Sequence, residues 1–143
     1  MILAAGLSPA WQHVLVVDQF RPGEVNRLSE LHACASGKVL NVGLATHHMS
    51  GGDPAETLTL ATAGGPAYDL IEQDLTQCGV PHRLVRTQSP TRTCTTVLER
   101  ATGVATELVE NAHPISDDES RREYDWPPKT ACDHQWPHWD CSV

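Results

Sequence analysis

Cys34-Ala-Ser-Gly-Lys-Val-Leu-Asn-Val-Gly43 decides how the chain is read, because a strand-like run gives way there to a helical one with a glycine and a lysine at the junction. Helix N-terminal amides and a lysine together suit an anion, and a phosphate is the obvious candidate. The segment is not a nucleotide phosphate loop: Val39 follows Lys38 where Ser or Thr is required, and His32 stands where the first glycine belongs. What remains is a small-residue lead into a helix, with Lys38 at its positive end. Asn41, one turn in, can donate to and accept from hydroxyls. The bland alternative is a glycine turn with a solvated lysine.

Outward from this junction, residues 1–125 follow α/β grammar, with apolar strand runs, amphipathic helices and Gly/Pro punctuation. Strands are expected at Met1–Gly6, Gln12–Asp18, Leu28–Cys34, Thr57–Ala63, Arg83–Thr87, Thr93–Arg100 and Val104–Glu110, and helices at Val39–Met49 and Pro66–Cys78. In the second helix Pro66 takes the first helical position, Ala67, Leu70, Ile71, Leu75 and Cys78 form one stripe, and Gly79 then Pro81 end it. Ala101-Thr-Gly103 joins the last two strands as a hairpin, its glycine placed where a left-handed conformation is needed. The apolar run at Thr57 suits a helix-covered sheet, and the alternating runs suit a sheet with one wet face, in the manner of a lid. Ser116-Asp-Asp-Glu119 is a capping box that starts a third helix, which Trp126-Pro-Pro128 stops.

The 143 residues bound one domain, and a net charge of -8 argues against nucleic acid or an anionic membrane surface as partner. Any anionic ligand must be held by local charge. The first six residues read as a buried strand rather than a signal peptide, and no transmembrane stretch is present in the sequence. Five cysteines make no disulfide framework, so a reducing cytoplasm is the expected location. Cys34, Cys78 and Cys94 sit in apolar patterns and are expected in the core.

Several ordered motifs carry a resemblance. The runs G-L-S-P-A-W-Q from Gly6, F-R-P-G-E-V-N-R from Phe20 and S-G-K-V-L-N-V-G from Ser36 resemble the N-terminal half of the PfkB (ribokinase-like) carbohydrate kinases, 1-phosphofructokinase and tagatose-6-phosphate kinase above all. A-G-G-P at Ala63, T-R at Thr91, T-E-L-V-E at Thr106 and P-I-S at Pro114 keep step. The resemblance covers residues 1–125. It implies the N-terminal portion of a ribokinase-like α/β fold: a partial Rossmann-like sheet with its helices plus a four-stranded β lid, incomplete.

By the same resemblance, Gly37, Lys38 and Asn41 hold the hydroxyls or the phosphate of a sugar phosphate, and Arg92 adds a second cation. Gln12 stands where the family has an aspartate on the sugar hydroxyls. Ser8 replaces an asparagine, Ser36 and Val39 replace glycines, and Tyr68 replaces the glycine expected after Gly64-Gly65. The family is ATP-dependent, with Mg, and takes its general base from a G-x-G-D motif that does not occur in these residues. The expectation is therefore a truncated sugar-phosphate kinase, without a catalytic residue of its own and inactive alone. A lid that pairs with a second lid implies a homodimer, or a heterodimer with a full-length relative that the chain binds or regulates. The central sheet is expected to have a bare edge.

Residues 126–143 break the pattern, holding three of the four tryptophans and neither a helical nor a strand period, and read as a divergent, disordered tail. Cys132, His134, His138 and Cys141 offer two thiolates and two imidazoles at spacings a tetrahedral zinc site accepts, so a zinc-dependent interaction module is the alternative from another class. His47 and His48 face different sides of a helix and read as core or surface residues.

Overall fold

Residues 1–124, the part that the structure describes as a computed structural model, form β1 (Ile2–Gly6), β2 (Ala10–Val17), β3 (Glu30–Ser36), α1 (Lys38–Met49), β4 (Thr57–Gly64), α2 (Ala67–Gln77), β5 (His82–Thr87), β6 (Thr93–Glu99), β7 (Ala105–Val109) and α3 (Asp117–Tyr124). Each expected strand and helix is present with boundaries moved by no more than two residues. The strands make two sheets. One is wholly parallel, ordered β1-β4-β5, and the other is four-stranded, ordered β3-β2-β6-β7. In the second sheet β2 pairs antiparallel with β3 and parallel with β6, while the β6–β7 hairpin turns through Gly103 at φ +72°. A partial nucleotide-type sheet and a four-stranded lid are thus what the chain builds.

Why β4 is central follows from its composition. Flanked by β1 and β5, it is buried along nearly its whole length, and its small residues Ala61 and Ala63 let Leu40 of α1 and Ala67, Ile71 and Leu75 of α2 close over it. Gly43 has no substitute here, because a Cβ would drive into the Thr59 hydroxyl beneath α1.

Three expectations are corrected. Leu70 is 42% exposed and Cys78 is exposed, because the face that α2 turns to the core consists of Ala67, Ile71 and Leu75 at four-residue intervals. Cys34 is exposed as well: β3 is an outer strand of its sheet, whereas Cys94 on the inner strand β6 is buried as expected. Pro66 stands one position before the helix as its N-cap, already in helical conformation at φ -61° and ψ -27°.

The two edges of the parallel sheet differ. Beyond β5, the Ser116–Glu119 capping box forms as expected, and Glu119 also reaches across to the sheet: its carboxylate accepts the Gln88 amide at 2.7 Å and the Ser116 amide at 2.8 Å. Beyond β1 no strand pairs among the described residues, and Ile2 and Leu3 remain about half exposed, as does Val42 of α1. Strands of a parallel sheet are normally covered on both sides, so β1 is the bare edge.

Candidate functional site

The chain crosses between the two sheets in short segments, and their close packing sets the site. At the end of β3, Gly37 takes φ +102°, and a Cβ there would lie 2.9 Å from Pro9 Cα and 3.0 Å from the Ser8 carbonyl oxygen. The backbone of the β1–β2 crossing therefore presses directly on the start of α1. Arg92, half-buried on the β5–β6 crossing, donates from Nε to the Pro9 carbonyl at 3.5 Å and from Nη1 to the Glu110 carbonyl at 3.4 Å. Thr91 closes the same crossing onto β4, its amide donating to the Gly64 carbonyl at 3.0 Å and its hydroxyl accepting the Gly64 amide at 2.9 Å.

An open cleft of about 570 Å³ runs from the bare edge of β1 to this crossing. Its walls are β1 from Leu3 onward with Leu7 and Ser8, then Lys38, Val39 and Val42 of α1, and Arg92. The crowded Gly6 explains the shape: its Cα faces Val39, leaving 3.1 Å between a would-be Cβ and Val39 Cβ, so helix and strand nearly touch below the cleft's polar end. Lys38 and Arg92 have no carboxylate partner among the described residues, and both line this cleft at the C-terminal end of a parallel strand, beside an α1 N-terminus that no side chain caps. In a chain of net charge -8, two unneutralised cations, free helix amides and a concave wall are together the chemistry that an anion would require.

The other residues singled out in the sequence fall around the cleft rather than in it. Gly37 is the N-cap of α1, and close backbone packing alone accounts for its glycine. Asn41 is exposed on the first turn of α1. Gln12 lies in the lid opposite Cys34 and Cys94, and its Nε2 donates to Thr96 Oγ1 at 2.9 Å and to the His13 carbonyl at 3.1 Å. Only its carbonyl oxygen is left to accept a ligand hydroxyl. Leu7, Ser8 and Val42 were not singled out as lining residues: an apolar strand end carries no chemical signature, and its role appears only when α1 packs beside it.

Elsewhere the chemistry is quiet. Desolvation pushes the Cys34 thiol up, with the Asp74 carboxylate and Cys78 adding to it, although Cys34 sits on an exposed strand, which is the opposite of the shift an activated thiol needs. His47 is buried with Nδ1 3.4 Å from Thr57 Oγ1, and His48 is exposed. Among the described residues no group of three His, Cys, Asp or Glu side chains could hold a metal, and no helix is long and apolar enough to cross a membrane. Cys132, His134, His138 and Cys141 lie outside the described residues.

No family model matches the chain. Its fold nonetheless has solved counterparts. Escherichia coli phosphofructokinase-2 in complex with fructose-6-phosphate is 23% identical, with a TM-score of 0.78 over 87% of this chain and 40% of that one. The tetrameric inhibited form of the same enzyme gives 23% and 0.76 over 86% and 39%. Ribokinase from Giardia lamblia gives 18% and 0.63 over 76% and 34%. The chain thus spans between a third and two fifths of the length of these proteins. At such identities the likeness establishes the fold, and the fold is the N-terminal portion of the ribokinase-like one.

Proposed function

We propose that the chain is the sugar-phosphate-binding part of a PfkB-type carbohydrate kinase, and that its cleft takes the phosphate of a phosphofructokinase-type substrate. The observation that carries this is the convergence of Lys38 and Arg92 on one cleft at the carboxyl end of β1. Arginine matches two phosphate oxygens at once and lysine supplies a compact second charge. The four-stranded sheet carries Gln12, with a free carbonyl oxygen suited to a sugar hydroxyl.

The ATP and Mg that such a reading implies do not fit the described residues. No metal-holding group is present among them, and the cleft at the other edge of the sheet, about 420 Å³, places Arg86 beside Asp118 and Glu119, which would repel nucleotide phosphates. Phosphoryl transfer rests on positioning and on stabilising charge at the transferred group. On this reading residues 1–124 supply the substrate side of that arrangement and bind the sugar phosphate without themselves supplying the groups for phosphoryl transfer.

Isothermal titration with fructose 6-phosphate, with fructose as control, tests the reading. Saturable binding of the sugar phosphate, abolished in a Lys38→Ala, Arg92→Ala double variant, is expected. Binding untouched by the double variant, or equal binding of fructose, overturns it.

A second reading, association through the lid, has its own support. Leu15 is in register with both Leu31 and Val97, and Leu108 with Thr95, so these side chains share the face opposite Gln12, where Leu31 and Leu108 are 59% and 61% exposed. A lid of a second copy, or of a longer relative, would cover that face. Sedimentation of wild type against Leu31→Asp tests it, a dimer lost in the variant being the supporting result.

A further inference from the structure

We propose that Glu110 is a positioning residue of the anion site, holding the Arg92 guanidinium at the cleft from the end of the lid. The proposal rests on the reading of the cleft as a sugar-phosphate site. Arg92 has two long hydrogen bonds, one to each side: the Pro9 carbonyl on the β1–β2 crossing and the Glu110 carbonyl just past β7. A guanidinium has five donors, so most remain for the cleft that Arg92 lines. Contacts of 3.4 and 3.5 Å are too weak to compete with a phosphate, yet they fix where the planar group waits.

What fixes the Glu110 carbonyl is its own side chain. Glu110 Oε2 accepts the Thr93 amide at 2.7 Å, and the Glu110 amide donates to the Thr93 carbonyl at 3.3 Å. Residue 110 is thereby closed onto residue 93 from both sides, next to Arg92 in the chain. The carboxylate stands in for a ladder carbonyl at the open end of β6, so Glu110 ties its side of the Arg92 anchorage to the four-stranded sheet.

The carboxylate's role is to accept a hydrogen bond; its negative charge near an anion site is a cost. Glu110→Gln keeps an acceptor and removes the charge, and Glu110→Ala removes both. Titration with fructose 6-phosphate is expected to show about tenfold weaker binding for Glu110→Ala. Glu110→Gln is expected to bind as tightly as wild type or more tightly. Glu110→Asp, one methylene short of Thr93, should resemble the alanine variant and replaces it if that variant does not fold.

The ¹⁵N heteronuclear NOE of Arg92 Nε and the exchange rate of the Thr93 amide, read without ligand, should show a looser guanidinium and a faster amide in the Ala and Asp variants only. Unchanged Arg92 Nε dynamics in those variants, or a glutamine variant as weak as alanine, overturns the proposal. If wild type binds no sugar phosphate, the proposed function fails and the ligand-free Arg92 measurement still decides the role of Glu110.

Discussion

Lys38, the first residue of α1, and Arg92, on the crossing into β6, line the same cleft although they belong to two separate connections between the sheets. Neither has a carboxylate to neutralise it among the described residues. Replacing Arg92 with Lys keeps the charge and loses the planar fork, so affinity for fructose 6-phosphate should fall by about 1–2 kcal/mol, while Lys38→Arg is tolerated better. Titration calorimetry of the two variants separates a phosphate site from a merely cationic patch, which would treat both alike.

Gly37→Ala forces a side chain into a left-handed conformation against the Pro9 backbone. Backbone cannot step aside as a flexible side chain can. The substitution should cost roughly 1–3 kcal/mol of stability, read as a lowered midpoint in urea with an unchanged slope. A midpoint equal to wild type would show that the close packing at this crossing does not exist in solution.

Glu119 is buried and accepts amides from both Gln88 and Ser116, joining α3 to the end of β5. Removing it leaves those amides without their acceptor, and Glu119→Ala should destabilise the chain by about 2 kcal/mol. Hydrogen exchange checks the assignment, since Gln88 and Ser116 should lose protection while the β4 amides keep theirs relative to the lowered global stability.

Glu30 on β3 is held below the usual carboxylate range by its hydrogen bonds to His32 and Arg100 and by the Arg100 charge. A lowered folded-state value means that this pairing stabilises the fold above the ordinary glutamate range and that the stability is lost as pH falls through the lowered value. Melting midpoints measured down an acid series should therefore converge for wild type and Glu30→Gln at the acid end. At neutral pH the variant should melt slightly lower, and because the pair is exposed the gap should shrink in high salt.

Much of the architecture was legible because periodicity and punctuation are local. The run Thr57-Leu-Thr-Leu-Ala-Thr-Ala63 announces a strand covered on both faces, Gly103 announces a hairpin, and Ser116 with Glu119 announces a cap, each through groups close in the chain. Cys34 and Leu70 failed the same test because burial depends on which strand is outermost and which stripe of a helix meets the sheet, and neither is written within one element.

The site divides in the same way. The residues themselves marked Gly37, Lys38 and Asn41 as of the right chemistry, since charge and conformational freedom belong to single residues, whereas Gln12 and Arg92 were marked only by the family resemblance. Only the tertiary structure decided that Lys38 and Arg92 share a cleft, that Gln12 spends its donors within the lid, and that Glu110 is tied to Thr93 beside the arginine. Convergence of groups far apart in the chain is fixed by how the sheets pack and cross. That packing is a property of the whole chain and of no segment of it.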